Sequence, residues 1–137
     1  MPQRERTLDQ KRAAHALGKV RDVKKDTDAA GNYRSYVEAV PATIVMNGLG
    51  QTCATLLSRA AGDSHRNRAY RLLFEHLQEW LCQRDGAVYR GDPSLIDAIV
   101  QGGQRTYVHA QAEALAYLVW LKKFGQAYLP KGARDDG

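Results

Sequence analysis

Apolar residues recur every three or four positions along most of this chain, which is the spacing of one face of an α-helix. No segment alternates apolar and polar residues at every second position, as a half-buried strand would. The predicted buried faces of the first four helices are Ala13, Ala16, Leu17, Val20 and Val23 in the first, Tyr33, Tyr36, Val37, Val40 and Ile44 in the second, Leu49, Cys53, Leu56, Leu57 and Ala60 in the third, and Tyr70, Leu73, Phe74, Leu77 and Leu81 in the fourth. The pattern therefore predicts an all-α fold.

The stretch from Gln104 to Leu129 is the one around which we expect the other helices to pack. Its middle, from Ala114 to Leu121, has no charged residue, glycine or proline. The stretch is too long for a strand, and its alanine, leucine and glutamine content favours a helix. A helix that is apolar on all sides is expected to be covered by its neighbours. We therefore expect Trp120 to lie in the core, so that Trp120→Ala costs ~3–5 kcal/mol.

Capping residues and prolines predict where the helices begin and break. Thr7 and Ser64 are predicted N-caps of the first and fourth helices. Pro41 falls inside the second helix and predicts a kink, or a break and a restart. Asp92 and Pro93 predict the start of a short fifth helix, with the proline at its first position.

These elements predict a compact bundle of about six helices around a long, apolar C-terminal helix. The length suits one domain, residues 1–130, and the polar residues 131–137 are expected to form a flexible tail. The net charge is +5, and all of the excess lies in residues 1–25, where eight basic side chains stand against three acidic ones. The predicted first helix, residues 7–25, is therefore basic, which indicates a polyanion or an acidic protein surface as partner.

Candidate catalytic or metal-binding groups are sparse. His76, Glu79 and Cys82 recur at helical spacing, but no second cluster supplies further ligands, so neither a metal nor another cofactor is predicted. His109 and Glu113 are four residues apart and are expected to form a structural polar pair at the rim of the last helix. The sequence therefore predicts a protein without catalytic activity.

The chain contains neither an apolar run long enough to span a membrane nor the apolar core of a secretory signal. We therefore expect a cytoplasmic protein. Cys53 and Cys82 fall within apolar helical patterns and are expected to be buried, reduced thiols.

The basic face of the first helix has two interpretations, a solvated surface or a surface that contacts nucleic-acid phosphates. Arg66, Arg68 and Arg71 would extend it if the first and fourth helices adjoin. The tyrosines and tryptophans fall on core faces, so no platform for base stacking is predicted. An enzyme or nuclease has no motif to support it, and a DNA-binding regulator would need a polar recognition helix that helices two and three lack.

Several short motifs occur in the order of one known family. They are Tyr33-Arg34-Ser35-Tyr36 with Pro41 and Asn47 to Thr52, then Ala69-Tyr70 with His76-Leu77 and Trp80-Leu81, then Tyr107, Glu113 to Leu115, Trp120 to Lys122 and Phe124. This ordered set resembles the small helical subunit of the type III-B (Cmr) CRISPR RNA-guided effector complex.

The resemblance implies a non-catalytic subunit that stacks with copies of itself in a short filament, beside other Cmr subunits, in antiviral defence. It also implies contact with the backbone of crRNA-guided target RNA, and neither a membrane nor a small-molecule substrate as partner. The residues expected to contact RNA are Lys11, Arg12, Lys19, Arg21, Lys24, Lys25, Arg66, Arg68 and Arg71. The alternative is a pure assembly subunit whose basic face docks on acidic protein partners and never contacts RNA.

Overall fold

A computed structural model describes residues 5–132 of the chain. It contains six α-helices and a single π-helical turn, and no strand occurs within this range. The helices are α1 (Leu8–Lys25), α2 (Ala30–Asn47), α3 (Leu49–Ala60), α4 (His65–Gln78), α5 (Leu95–Gln101) and α6 (Gln104–Tyr128), and the π-helical turn (Glu79–Gln83) continues α4. The predicted all-α bundle of six helices is confirmed.

Two of the predicted helix starts are confirmed, and one is wrong. Thr7 and Ser64 each accept a hydrogen bond from the third helical residue, completing reciprocal capping boxes. The short helix α5 does not begin at Asp92 and Pro93. Its N-cap is Ser94, whose hydroxyl accepts from the Asp97 amide at 3.2 Å. Asp92 instead accepts a hydrogen bond from the Ser94 amide, so it shapes the turn that precedes the helix.

Pro41 does not break α2, which runs without interruption from Ala30 to Asn47. Proline removes one backbone donor, the one that would bond to the carbonyl of Val37. The buried face nevertheless continues across it, since Val37, Val40 and Ile44 all lie in the core. Packing on both sides of the proline holds the two halves of the helix in register.

The C-terminal helix α6 is central to the bundle, but it is not covered on all sides as expected. It packs against α1, α2, α3 and the π-helical turn. It buries one face, made of Ala110, Glu113, Ala114, Tyr117, Leu118, Leu121 and Gly125. The opposite face is open, and Val119 in the middle of the charge-free run has 49% of its surface exposed. Trp120 is only partly buried, whereas Trp80 is 2% exposed and is the tryptophan of the core.

The start of the predicted tail is packed against α2. Arg34 donates a hydrogen bond to the carbonyl of Leu129 at 3.0 Å. The backbone of Gly132 lies close to Gly31. A Cβ atom added to Gly31 would be 3.0 Å from the Cα of Gly132. Residues 133–137 of that predicted tail, like residues 1–4, lie outside the described part of the chain.

The cysteines have the environment that the sequence predicts. Cys53 and Cys82 are both buried free thiols. Burial raises the pKa of Cys53 to about 12 and that of Cys82 to about 11, so both remain protonated and unreactive at neutral pH.

None of the helices within residues 5–132 has the length and apolar character needed to cross a membrane.

His76 makes the stability of the bundle sensitive to mild acid. It is 5% exposed, and its Nδ1 lies 2.7 Å from the hydroxyl of Tyr33. Burial, together with nearby Lys19 and His15, lowers the pKa of His76 to about 3. His76 of the unfolded chain is protonated near pH 6.5, whereas His76 of the folded chain is protonated only near pH 3. Protonation therefore favours the unfolded state, and the free energy of unfolding decreases progressively as pH falls from about 6.5 towards 3.

We expect the free energy of unfolding to fall by about 2 kcal/mol between pH 7 and pH 5. Urea denaturation at a series of pH values measures this change. His76→Gln should remove most of the slope, and a residual slope should remain because burial also lowers the pKa of His15. The matched control, His109→Gln at an exposed position, should leave the slope unchanged. An equal slope in His76→Gln and the wild type would contradict the assignment.

Candidate nucleic-acid interface

Helix α1 is rotated relative to the orientation that its sequence pattern predicts. Ala16, Val20 and Val23 are buried as expected. One edge of the helix, with the predicted RNA contacts Arg12 and Lys19 and with His15 between them, turns towards α6 and the π-helical turn and is partly buried. The helix thus docks through an apolar face and a polar edge, which leaves a narrower basic face towards solvent.

Arg12 is the first of the predicted RNA-binding residues that has an internal partner. Its guanidinium donates two hydrogen bonds to Glu113, from Nε at 2.8 Å and from a terminal nitrogen at 2.7 Å. Trp80 donates to the same carboxylate at 2.9 Å, and Glu113 is 4% exposed. Burial alone would raise the pKa of Glu113, but the Arg12 and Trp80 hydrogen bonds outweigh it and hold that pKa below its usual range.

Trp80 connects this buried carboxylate to the rest of the core. Its ring stacks on Tyr117, with centroids 5.0 Å apart, and the guanidinium of Arg84 lies 3.9 Å from its centroid. His15 closes the group, because its Nδ1 lies 2.6 Å from the Tyr117 hydroxyl. The polar atoms of this group form hydrogen bonds with one another. Glu113 therefore has a structural role, as the sequence predicts. The predicted pair with His109 is not formed, since Glu113 turns to Arg12 and His109 lies exposed.

Three further predicted contacts also have partners inside the chain. Lys19 pairs with Glu79 at 2.8 Å. Arg68 donates two hydrogen bonds, of 2.8 and 2.5 Å, to Asp26, the C-cap of α1, and so links the start of α4 to the end of α1. Arg71 donates to two carbonyls at the end of α3, those of Ala60 and Gly62. Such bonds fix the helices relative to one another and give these three cations a role within the fold.

The remaining cations of α1 face solvent. Lys11, Arg21 and Lys25 are exposed and lie opposite the buried face of the helix; we call these three residues the outer cation stripe. At 1.5 Å per residue the stripe is about 21 Å long. Lys24 is exposed beside it, and none of the four forms an ion pair with a carboxylate in the described residues 5–132. Arg66, in the first turn of α4, is also exposed.

The candidate metal ligands are separated by their own contacts. His76 faces Tyr33 and Glu79 pairs with Lys19, while Cys82 is buried as a free thiol. Within residues 5–132 no group of three histidine, cysteine or acidic side chains is placed to hold a metal ion.

The fold and the outer cation stripe define a small all-helical protein with one basic helical face directed to solvent. Residues 8–128 match the family described as CRISPR-associated protein (Cas_Cmr5). The match extends from the first residue of α1 to the last residue of α6. The chain therefore belongs to this family, that of the small subunit of the type III-B (Cmr) CRISPR complex.

Proposed function

We propose that this protein is a non-catalytic small subunit of a type III-B effector complex, which stacks with its own copies in a short filament and holds crRNA-guided target RNA. The observation that carries the proposal is the outer cation stripe, whose charges no carboxylate of residues 5–132 neutralises. Family membership supports the place in a Cmr complex. Lys11, Arg21, Lys24 and Lys25 are the proposed phosphate contacts, and Arg66, exposed at the start of α4, is a further candidate.

Contact through this surface would be independent of RNA sequence. Lysine and arginine on an exposed helix face neutralise phosphates and release counterions, without hydrogen bonds to base edges. Trp80 and Tyr117, which meet α1 through Arg12 and His15, stack on each other and are buried in the core. The subunit would therefore hold the RNA backbone and leave target selection to base pairing with the crRNA.

A non-catalytic role fits the use of the polar side chains. The two buried groups that could act as acid or base, Glu113 and His76, are held by Arg12 and Tyr33 and lie in the core. General acid–base catalysis requires a group within hydrogen-bonding reach of the substrate. These two residues stabilise the bundle instead.

Reversal of the stripe should weaken the binding of single-stranded RNA and flatten its salt dependence. We would measure fluorescence anisotropy of a labelled RNA across a salt series, comparing the wild type with Lys11→Glu/Arg21→Glu/Lys25→Glu. Loss of three phosphate contacts should reduce the slope of log K against log salt by about 2. Arg12 and Lys19 are left unchanged, because their reversal would disrupt the ion pairs with Glu113 and Glu79.

The matched control is Arg105→Glu/Lys123→Glu/Lys131→Glu, which reverses three exposed cations away from α1. Each reversal changes the charge by two, so both variants go from +5 to −1. The control should keep most of the slope if the stripe is the RNA surface. Equal losses in the two variants would indicate a general charge effect. Retention of RNA binding by the stripe variant would favour the alternative, in which the stripe docks on an acidic protein.

A further inference from the structure

A small cleft opens between α2, α3 and α4. Its volume is about 80 Å³. The side chains that line it are Tyr36, Ala39, Val40, Thr43, Thr52, Thr55, Leu56, Arg59 and Tyr70. Most of these are apolar or present a methyl group, and the only charged residue among them is Arg59. The cleft plays no part in the interface proposed above.

Two of the hydroxyl groups that line the cleft bond within their own helices. Thr43 donates its hydroxyl to the carbonyl of Ala39 at 3.3 Å, and Thr52 donates to that of Gly48 at 2.8 Å. Both hydroxyls therefore bond to the preceding turn of their own helix, and apolar atoms dominate the cleft. A hollow of this size, roughly that of two or three water molecules, suits a few carbon atoms.

The aromatic rings of the cleft are already occupied. Tyr70 stacks on Tyr36 with centroids 3.8 Å apart and planes 8° from parallel. The guanidinium of Arg59 lies over the Tyr70 ring, 5.5 Å from its centroid. Tyr36 thus covers one face of Tyr70, and Arg59 lies close to the same ring. A nucleobase needs an open ring face and hydrogen-bonding groups at its edges, and the cleft offers few of either.

Arg59 gives the mouth of the cleft a positive charge. It is exposed, and its guanidinium donates to the Tyr70 hydroxyl at 3.2 Å. No carboxylate in the described part of the chain pairs with it. Because Tyr70 holds the guanidinium in place, a carboxylate that approaches the cleft would meet a positioned partner.

We propose that the cleft receives one aliphatic side chain, such as leucine, valine or methionine, from another protein subunit of the complex. A carboxylate within one helical turn of that side chain pairs with Arg59. The apolar interior of the cleft favours an aliphatic side chain, and the positive charge of Arg59 at the mouth favours a carboxylate close to that side chain. The proposal rests on the function proposed above, in that it requires assembly with protein partners, but it does not depend on RNA contact by α1.

The test uses the full-length chain, fluorescently labelled, titrated into an effector complex assembled from the remaining subunits. Thr55→Phe fills the cleft from an exposed position, and Arg59→Glu reverses its charge. Each should weaken incorporation at least about tenfold, because Thr55→Phe removes the space for one buried aliphatic side chain and Arg59→Glu places two like charges together. Ala54→Phe, at the neighbouring exposed position on α3 and outside the cleft, should bind as the wild type does.

A photo-crosslinking residue at Ser58, which is exposed on α3 beside Thr55 and Arg59, identifies the occupant. We expect a crosslink to a protein segment with an aliphatic residue and an aspartate or glutamate within four positions. Replacement of that acid by lysine should restore incorporation of Arg59→Glu. A crosslink to RNA, or unchanged incorporation of Thr55→Phe and Arg59→Glu, would overturn the proposal.

The outcomes for the two proposals are distinct. If the cleft variants are incorporated normally while the stripe variant loses RNA binding, only the proposed docking site fails. If the wild-type chain itself does not join the complex, the proposed function fails and the docking site with it. Circular dichroism melts of Thr55→Phe and Ala54→Phe establish that both variants fold.

Discussion

Replacement of Arg12 by alanine is expected to lower the free energy of unfolding by ~3–5 kcal/mol. The change leaves the carboxylate of Glu113 in the core, where it is 4% exposed, without its bidentate partner. The Trp80 indole still donates to it, but Arg84 stands 4.0 Å away and cannot replace two short hydrogen bonds. A buried charge without its partner is among the most destabilising changes that a single substitution can make. Urea denaturation followed by circular dichroism measures the loss.

The adjacent lysine provides the control for this prediction. Lys11→Ala removes an exposed cation of the same helix and should change stability by less than about 0.5 kcal/mol. The double variant Arg12→Met/Glu113→Gln should recover much of the loss, because it removes both charges and keeps an acceptor for Trp80. Similar losses in Arg12→Ala and Lys11→Ala would mean that the pair with Glu113 does not stabilise the fold.

Trp80→Ala is expected to cost a similar ~3–5 kcal/mol. Trp80 is 2% exposed and packs on Tyr117, and its removal leaves a large cavity where α1, α6 and the π-helical turn meet. It also removes the hydrogen bond to Glu113 at 2.9 Å. Thermal and urea unfolding should both show the loss, and Trp80→Phe, which keeps much of the ring volume, should lose less.

Trp120→Ala is the natural comparison, since it removes the same side chain from the charge-free run of α6. Trp120 is only partly buried, and its indole donates at 3.0 Å to Asp9 at the surface. We therefore expect a cost of about 1 kcal/mol, in place of the larger cost that the sequence pattern predicts. A larger effect for Trp120→Ala than for Trp80→Ala would mean that the core is centred elsewhere.

The ion pairs of Arg12 and Lys19 also affect which variants are suitable for the RNA-binding assay. A variant that reverses Arg12 or Lys19 would lose an ion pair of the fold together with a surface charge. Its loss of RNA affinity could arise from unfolding alone. The outer cation stripe avoids this ambiguity, since Lys11, Arg21 and Lys25 are exposed and pair with no carboxylate of residues 5–132.

Local patterns in the sequence were sufficient for the fold class and most of the helix boundaries. Apolar spacing predicts the helices because a side chain in a helix returns to the same face every three or four residues. Thr7 and Ser64 cap their helices because the interaction involves residues only three positions apart. Pro41 is the exception. The helix continues through it without the break that its local effect allows, and Val37 and Ile44 are buried on either side of it.

The charge asymmetry was equally visible in the sequence, but the surface that it forms was not. Arg12, Lys19, Arg66, Arg68 and Arg71, among the nine basic residues predicted to contact RNA, have interactions within the chain. Glu113 is an early signal, because a carboxylate next to a charge-free run needs a partner if helix packing buries it. Nothing in the sequence, however, indicates which cation would reach it.

The sequence by itself therefore determined which residues form helices, which faces are apolar and where the excess charge lies. Only the tertiary structure decided how α1 is rotated, which tryptophan is buried and which cations remain free for a partner. The pair of Arg12 and Glu113 joins residues 101 positions apart, and that of Arg68 and Asp26 joins residues 42 apart. Helix periodicity defines a face only to within a residue or two, whereas an ion pair forms or fails over about one ångström. That finer choice depends on how the helices dock.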